Sequence, residues 1–385
     1  MKNIFLLGAS GSIGQQTLAI IRNSKEYSLK AISVGYNIDA AIAIIDEFKP
    51  EFVSVACQKD KEYLQVKYPQ IKFSHGEQGL IDVATYGDDE GLLVNALVGI
   101  VGLAPTIAAI KKKRDILLAN KETLVAGGEL VMTLAKQYKV NIFPIDSEHS
   151  AIYQCLLSGN KQDVANLIIT ASGGALRNKT RAELIDITVE EALQHPNWSM
   201  GKKITIDSAT MVNKGLEVIE AHHLFQMPYE KIKTILHPES IVHSMVEYND
   251  SSVIAQMSYP NMMLPIQYAL TYPRHIENEN LKKLNLSSIK NLTFQEMDFS
   301  RFPMLELAYR VGKSGGLLPT VYNAANEAAV DLFIRKKIRF LDIEKIIFEM
   351  VEKYQDNNEM TITLDKILKI DKEVKKDVYQ AYEVA

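Results

Sequence analysis

The first 148 residues alternate short apolar runs with segments of helical periodicity, and this alternation limits the fold more than any other feature. The runs expected to form strands are Ile4–Leu7, Lys30–Val34, Phe52–Ala56, Leu92–Val98, Asp115–Leu118 and Val140–Ile145. Strands that alternate with helices favour a parallel sheet covered on both faces. With right-handed crossovers, residues 1–148 are predicted to form a doubly wound, Rossmann-like α/β domain.

The pattern changes after residue 148. Short β-rich runs mix with one long helix, Ala209–Phe225, which predicts a central α+β catalytic domain over residues 149–274. The strands expected there are Leu167–Ala171, Lys203–Asp207, Ile232–Leu236 and Ser252–Met257. Residues 275–300 are polar and predict a linker. Residues 301–385 carry apolar positions at three-to-four spacing and predict a C-terminal helical bundle, with Asp342 and Asp371 as expected N-caps.

Composition argues against several classes of function. The 385 residues carry a net charge of −4, which gives no support to nucleic-acid or membrane-surface binding. No apolar run reaches the roughly 18 to 20 residues of a membrane span, and the N-terminus lacks a signal-peptide pattern. Cys57 and Cys155 form no CxxC pair and are interpreted as reduced thiols. A cytoplasmic protein is therefore expected.

A glycine-rich segment, Gly8–Gly14, separates the first expected strand from the first helix. Glycines three residues apart let the backbone approach a pyrophosphate, and the helix N-terminus offers its N–H groups to the same anion. The spacing is GxxGxxG rather than GxGxxG, and an ordinary strand–helix turn is the alternative. Its place directly after the first strand favours dinucleotide binding.

The end of the second strand favours NADP over NAD. NAD sites place an acid there to bind the ribose 2′-hydroxyl. Here Val34-Gly35-Tyr36-Asn37 follows, and the first acid is Asp39. No arginine replaces the acid, so the sequence does not say what holds a 2′-phosphate.

Asp146 and Glu148 follow the strand that ends at Ile145. If the backbone stays extended, both side chains point the same way, and two like charges at the carboxyl end of a parallel sheet favour a bound cation. Oxygen ligands favour Mg²⁺ or Mn²⁺ over zinc. A solvated acidic turn is the alternative.

A third carboxylate is expected from the long helix. Asn213, Lys214 and Glu217 share one helical face, since they are three or four residues apart. Glu220 competes with Glu217 for the metal, and a structural Lys214–Glu217 ion pair is the alternative. Ser208 lies near the start of this helix, where an anion is favoured.

Two loops complete the candidate site. Ser172-Gly173-Gly174 ends an apolar run, and hydroxyl and N–H groups there can hold a phosphate. His195–Gly201 is a loop that contains Trp198, the only tryptophan of the chain. Such a loop can close over a site and exclude water, although packing is the commoner role of a lone tryptophan.

Taken together, these segments resemble the 1-deoxy-D-xylulose 5-phosphate reductoisomerases over nearly the whole chain. The motifs that carry the resemblance occur in the same order as in that family: GASGSIG at 8–14, LLANKE at 117–122, PIDSEH at 144–149, ASGG at 171–174, HPNWSMG at 195–201, DSATMVNKGLEVIEA at 207–221, HPESIVHSMV at 237–246 and NAANE at 323–327. HPNWSMG and DSATMVNKGLE are highly specific to the family.

The resemblance implies a role for each matching position. The metal ligands are Asp146, Glu148 and Glu217. The phosphate-binding set is Ser172, His195, Ser208, Asn213 and Lys214. Lys121 and Ser147 contact the rest of the substrate. The nucleotide contacts are Ser10, Gly11, Ser12, Ile13, Gly35, Tyr36, Asn37, Asn120, Glu122 and Gly201. Trp198 lies on the closing flap, and the family forms homodimers.

The resemblance also implies a reaction. A small sugar phosphate, 1-deoxy-D-xylulose 5-phosphate, is isomerised by carbon–carbon cleavage and rejoining, and is then reduced by NADPH to 2-C-methyl-D-erythritol 4-phosphate of the non-mevalonate isoprenoid pathway. A divalent metal acts as Lewis acid, and Lys121 stabilises developing oxyanion charge. Ser10 stands where some members have threonine, and Tyr36 where some have lysine, which leaves open how the 2′-phosphate is held.

Two alternatives remain on the residues alone. One is a simple NADP-dependent dehydrogenase of another phosphorylated or hydroxy substrate, which would not need the carboxylate triad. The other is a non-catalytic dinucleotide-sensing module, which would bind nucleotide without metal dependence or turnover.

Overall fold

The computed structural model describes residues 1–22, 24–88, 90–356 and 358–383. The chain forms two compact units, each built from separate stretches of sequence. The first unit contains 1–123, 131–150 and 262–281, and the second contains 124–130, 151–261 and 282–385. None of the helices in the described ranges is long and apolar enough to cross a bilayer. The domain boundaries expected from the sequence stay a prediction.

The first unit is built on a parallel sheet of seven strands in the order β4-β3-β2-β1-β5-β6-β7. The strands are β1 (Lys2–Leu7), β2 (Tyr27–Ser33), β3 (Phe52–Val55), β4 (Lys72–His75), β5 (Gly91–Asn95), β6 (Asp115–Leu118) and β7 (Ile142–Pro144). The helices between and after them are α1 (Ser12–Arg22), α2 (Ile38–Phe48), α3 (Gln58–Lys67), α4 (Gly76–Thr85), α5 (Leu103–Lys111), α6 (Glu122–Tyr138) and α7 (Ser147–Leu156).

The strand order explains where a ligand can bind. The chain moves outward from β1 in one direction through β4 and then continues on the other side of β1 with β5. Open α/β sheets bind ligands at such a switch point, beyond the carboxyl ends of the strands. The glycine-rich turn follows β1 at this point. The predicted doubly wound sheet is therefore confirmed.

A later segment returns to the first unit. Helix α11 (Met263–Thr271) packs against α1, β6 and β7. Ile266, Ala269 and Leu270 belong to the same apolar core as the sheet, and the Tyr27 hydroxyl donates to the Leu270 carbonyl at 3.0 Å. No local pattern predicted this return, because it depends on contacts between distant parts of the chain; the Tyr27–Leu270 hydrogen bond joins residues 243 positions apart.

The second unit contains a mixed sheet in the order β11-β10-β8-β9-β12. Its strands are β8 (Val164–Ala171), β9 (Ile232–Leu236), β10 (Val242–Tyr248), β11 (Val253–Met257) and β12 (Gln295–Glu296). Only β8 and β9 pair in parallel; the other neighbours are antiparallel. Three helices accompany the sheet: α8 (Val189–Ala192), α9 (Lys202–Thr210) and α10 (Val212–Phe225).

Four helices end the chain: α12 (Pro303–Ser314), α13 (Leu318–Ile334), α14 (Phe340–Gln355) and α15 (Leu364–Tyr382). Helix α13 is buried along almost its whole length and packs against α14 and α15, while α12 packs against α10. An apolar helix with few exposed positions is typical of the centre of a bundle. The helical C-terminal region predicted from the sequence is confirmed.

Several local expectations are wrong. Residues 203–207 form part of helix α9, not a strand, and the expected helix Ala209–Phe225 is interrupted at Met211, whose φ is +64°. Asp146 and Glu148 do not lie on an extended strand, because α7 begins at Ser147. Asp342 is the third residue of α14, whose N-cap is Arg339, and Asp371 lies inside α15.

Candidate active site

The glycine-rich turn of the first unit is closely packed. The Gly8 N–H donates to the Ser33 hydroxyl at 2.9 Å, which ties the turn to the end of β2. A Cβ at Gly14 would lie 2.3 Å from the Gly8 carbonyl oxygen, so only glycine allows α1 to start this close to the turn. Ser10–Ile13 thus lie where helix N–H groups meet the switch point, as expected for a pyrophosphate site.

The other predicted nucleotide residues of the first unit occupy two places. Tyr36 follows β2 and is 82% exposed, while the Asn37 side chain caps α2 by accepting the Ala40 N–H at 3.0 Å. Asn120 is buried and donates to the carbonyls of Leu97 and Gly99 and to the Glu122 carboxylate, at 3.0 to 3.1 Å. Asn120 and Glu122 therefore form one hydrogen-bonded group after β6.

Asp146 and Glu148 lie at the N-terminus of α7. The Asp146 carbonyl accepts the Ser150 N–H at 2.8 Å, and the Ser147 hydroxyl donates to Glu148 at 2.5 Å. The Lys121 ammonium lies 2.5 Å from the Asp146 carboxylate, and both side chains are about nine-tenths buried, at 9% and 11% exposure. A helix N-terminus stabilises carboxylates in its first turn. The start of α7 can therefore account for two acidic side chains at this position, although the backbone is not extended as predicted.

In the second unit, β8 ends at Ala171 and the turn Ser172–Gly174 follows. Gly173 and Gly174 have φ of +86° and +72°, and a Cβ at Gly174 would lie 2.6 Å from the Ser208 carbonyl oxygen. This packing brings the turn against the end of α9, which carries Ser208. Ser172 and Ser208, two residues of the predicted phosphate set, therefore lie on neighbouring segments.

His195 joins this group with a defined tautomer. Its Nδ1 accepts the N–H groups of Asn197 and Trp198 at 3.2 and 3.0 Å, so the proton of the neutral ring is on Nε2. Nε2 lies 3.0 Å from the Ser172 Oγ, which also accepts the Gly174 N–H at 3.2 Å. With two donors on its oxygen, Ser172 keeps its own hydroxyl proton for a further acceptor.

The charge state of His195 follows from its surroundings. Burial, and secondly the positive charge of Arg177, lower its pKa from 6.5 to about 4. The imidazole is therefore neutral near pH 7 and donates one hydrogen bond from Nε2.

The helix α10 carries the third acid. The Glu217 carboxylate accepts hydrogen bonds from Asn213 and from the Lys214 ammonium on the same helix face. Lys214 and Glu217 are buried, at 4% and 1% exposure. The expected sharing of one helical face is confirmed, and the Lys214–Glu217 ion pair named as the alternative to a metal ligand is also present. The break at Met211 starts α10 with Asn213 in its first turn.

The sequence reasoning missed four side chains next to these groups. Arg177 donates to the Ser172 carbonyl at 3.2 Å. Asp207, beside Ser208, is buried between the Lys203 ammonium and the Asn326 amide, both at 2.8 Å. The i,i+4 spacing of Lys203 and Asp207 was a visible signal, but it was hidden by the assignment of these residues to a strand.

Comparisons with known proteins agree with this architecture. The model of the 1-deoxy-D-xylulose 5-phosphate reductoisomerase family matches residues 4–128, and two models of the C-terminal domains of that enzyme match 142–225 and 257–377. Proteins named 1-deoxy-D-xylulose 5-phosphate reductoisomerase from Geobacillus sp. (strain WCH70) and Lysinibacillus sphaericus (strain C3-41) are 53% and 54% identical to the chain. Each comparison covers 98% of this chain and 99% of the relative.

Solved structures give the same result. A DOX-P reductoisomerase in complex with NADPH, fosmidomycin and magnesium is 38% identical with a TM-score of 0.93, covering 99% of this chain and 98% of that one. The enzyme from Zymomonas mobilis in complex with NADPH is also 38% identical, with a TM-score of 0.90 and the same coverage. Together with these relatives, the doubly wound sheet and its glycine-rich turn identify the chain as an NADP-dependent oxidoreductase. More narrowly, the chain belongs to the 1-deoxy-D-xylulose 5-phosphate reductoisomerase family, as its motifs predicted.

Proposed function

We propose that the chain converts 1-deoxy-D-xylulose 5-phosphate to 2-C-methyl-D-erythritol 4-phosphate with NADPH and a divalent metal, using the residues assigned below. The observation that carries the proposal is the buried Glu217 carboxylate, which shares one helix face with Asn213 and Lys214. A simple dehydrogenase has no need of this group. Family membership also favours this function over the dehydrogenase and the sensing module.

Asp146, Glu148 and Glu217 are the proposed metal ligands. Three carboxylates suit a hard cation, and related enzymes have been solved with magnesium. Two of these ligands are paired with a lysine ammonium: Asp146 with Lys121, and Glu217 with Lys214. A metal binds the carboxylate form of these acids, and both ammonium groups are placed to balance its negative charge. The bound metal supplies Lewis-acid polarisation of the substrate oxygens.

The phosphate of the substrate is assigned to Ser172, His195, Ser208, Asn213 and Lys214. Ser172 has its hydroxyl proton available, because its oxygen already accepts from His195 and Gly174. Lys214 supplies the positive charge, and Asn213 a neutral donor. Binding energy from this remote group can orient the reacting carbons and drive closure of the flap that carries Trp198.

Lys121 and Ser147 are assigned to the reacting end of the substrate. The Lys121 ammonium is buried against Asp146, so it is positioned to stabilise an oxyanion that develops nearby. The Ser147 hydroxyl donates to Glu148 and fixes the orientation of that carboxylate. Hydride for the reduction comes from NADPH, which the residues at 10–13, 35–37, 120, 122 and 201 are proposed to hold.

The homodimer of the family is also proposed for this chain. Strand β11 lies at the edge of the second sheet and exposes Val253 and Ile254, at 47% and 37%. An exposed apolar edge strand is a template for pairing with another chain. Sedimentation of the full chain tests this: a monomer at micromolar concentration would contradict it. A cytoplasmic location and the absence of nucleic-acid partners stay predictions.

The test of function is NADPH oxidation, followed by nicotinamide absorbance, with the sugar phosphate and with Mg²⁺ or Mn²⁺. We expect turnover to require both. Glu217→Gln should lower kcat/KM by at least about 100-fold and weaken the metal dependence, whereas the exposed Glu306→Gln is a control with unchanged turnover. Glu220→Gln tests the competing ligand. If Glu217→Gln keeps full activity, the metal assignment is wrong and a simple dehydrogenase is favoured.

A further inference from the structure

The turn His237–Ser240, between β9 and β10, has no role in the function proposed above. His237 is fully buried, and its Nε2 accepts the N–H groups of Ile241 and Val242, both at 3.1 Å. Its Nδ1 therefore carries the ring proton and donates to the Thr293 carbonyl at 2.8 Å. A buried ring that is bonded on both nitrogens fixes the turn rigidly.

Ser240 adds to this rigidity. Its φ is +54°, a conformation that residues other than glycine rarely adopt, and its N–H donates to the His237 carbonyl at 3.1 Å. Such a conformation persists only where the surrounding structure determines it, and it is common at functional sites. The Ser240 hydroxyl accepts a hydrogen bond from the Asn197 amide at 2.9 Å.

The Pro238 carbonyl is shared by two other segments. It accepts the Asn197 amide at 2.5 Å and the Arg177 guanidinium at 3.3 Å. The same Arg177 nitrogen donates to the Ser172 carbonyl at 3.2 Å. The flap and the phosphate-binding turn are therefore attached to one carbonyl group of the rigid turn.

We propose that Asn197 and Arg177 are positioning residues of the reaction, which dock the flap and the phosphate-binding turn on residues 237–240. Asn197 acts through its neighbours. Its own N–H and that of Trp198 set the His195 tautomer, and His195 in turn orients the Ser172 hydroxyl. Without the hydrogen bonds of Asn197 to Pro238 and Ser240, the flap is no longer held in one position, and His195 no longer orients the Ser172 hydroxyl. The inference rests on the proposed function, because it assigns these residues to phosphate binding by the same site.

Trp198 makes the anchor measurable, since it is the only tryptophan of the chain and its fluorescence reports on the flap alone. Asn197→Asp keeps the shape of the side chain but cannot donate to the Pro238 carbonyl when ionised. We expect Asn197→Asp and Asn197→Ala to increase the fast local motion of Trp198 in time-resolved anisotropy of the ligand-free protein. Both should lower kcat/KM for the sugar phosphate by about 10- to 100-fold, mainly through KM, with NADPH affinity unchanged.

Arg177→Met should raise KM for the sugar phosphate. It should increase the local motion of Trp198 less than the Asn197 variants do, because it releases the phosphate-binding turn and not the flap. The matched control is Asn160→Ala, which removes an exposed loop asparagine of the second unit whose amide donates to Asp163 at 3.2 Å; the kinetics and anisotropy of this variant should equal those of the wild type. Wild-type anisotropy and kinetics in Asn197→Asp would overturn the proposal. A wild-type protein that never oxidises NADPH with this substrate would instead refute the proposed function, and the anisotropy would still decide whether Asn197 anchors the flap.

Discussion

The glycine-rich turn at residues 8–14 and the turn Ser172–Gly174 both follow a buried strand and are both assigned to an anion, but they are built differently. The first turn is continuous in sequence and leads directly into α1, so its backbone N–H groups and the helix N-terminus suffice. The second turn is not followed by a helix. It depends on the His195 side chain from another loop, on the nearby Arg177 side chain and on the backbone at the end of α9.

This difference suits the two ligands. A nucleotide pyrophosphate has to be held in place during hydride transfer, and a rigid backbone cradle does that without moving parts. The phosphate of the substrate has to be bound and then enclosed. In the proposed function, a turn whose hydroxyl is oriented by His195 couples these two events, because His195 and Trp198 lie on the same loop.

The strongest test of the first turn is Gly14→Ala. The added Cβ would lie 2.3 Å from the Gly8 carbonyl and 2.7 Å from Ala9 Cα, and both are backbone atoms that cannot rotate away. We expect a loss of about 3 kcal/mol in the free energy of unfolding, measured by urea denaturation. Gly35→Ala, where nothing lies within 4 Å of the new Cβ, should retain wild-type stability. Equal stability of the two variants would show that the turn is not closely packed.

A substitution in the second turn should lower activity more than it lowers the stability of the fold. Gly174→Ala introduces a Cβ at φ +72° and 2.6 Å from the Ser208 carbonyl, which pushes the turn away from α9. We expect kcat/KM for the sugar phosphate to fall about 100-fold while NADPH affinity is unchanged. Gly315→Ala also adds a Cβ at a positive φ, +64°, in a part of the second unit without an assigned role, and should leave turnover intact. A matching loss of NADPH affinity in Gly174→Ala would contradict the separation of the two sites.

The sequence predicted what local patterns determine. The alternation of strands with helices predicted the parallel sheet, and the spacing of the glycines predicted the first turn. It failed at Lys203–Asp207, where alternating isoleucine and threonine imitate a strand, because burial of Thr205, Ile206 and Asp207 within the second unit stabilises a helix instead. The break between α9 and α10 at Met211 depends on packing, because methionine does not favour the positive φ found there.

The phosphate site could be predicted as a set of residues but not as an arrangement. Ser172, His195 and Ser208 were recognised from family motifs. Their geometry depends on the contacts of Arg177 and Asn197 with Pro238, which lie 61 and 41 positions away in sequence. Contacts at such separations leave no periodic pattern in a single sequence. The tautomer of His195 could not be predicted either, because it depends on the hydrogen bonds of the folded loop.

His195, which bonds to Ser172 of the second turn, makes stability depend on pH. Because burial and Arg177 lower the pKa of His195 from 6.5 to about 4, the unfolded chain binds more protons at this site than the folded chain between these pH values. The contribution of His195 is complete above pH 6.5 and is lost as the pH falls to about 4. His195→Gln should therefore lose less thermal stability than the wild type between about pH 7 and about pH 5. Equal losses would mean that the imidazole is not held neutral.

The smallest effect is expected at the edge of the first turn's site, where Tyr36 is 82% exposed. Tyr36→Lys would place a positive charge after β2, where the 2′-phosphate of NADPH is expected. An exposed ion pair is worth about 1 kcal/mol at most, so NADPH should bind up to about fivefold more tightly, and the gain should fade as salt is added. NADH has no 2′-phosphate and serves as the internal control in the same titration. If the substitution improves NADH and NADPH binding equally, the residue contacts another part of the nucleotide, and the 2′-phosphate is held elsewhere.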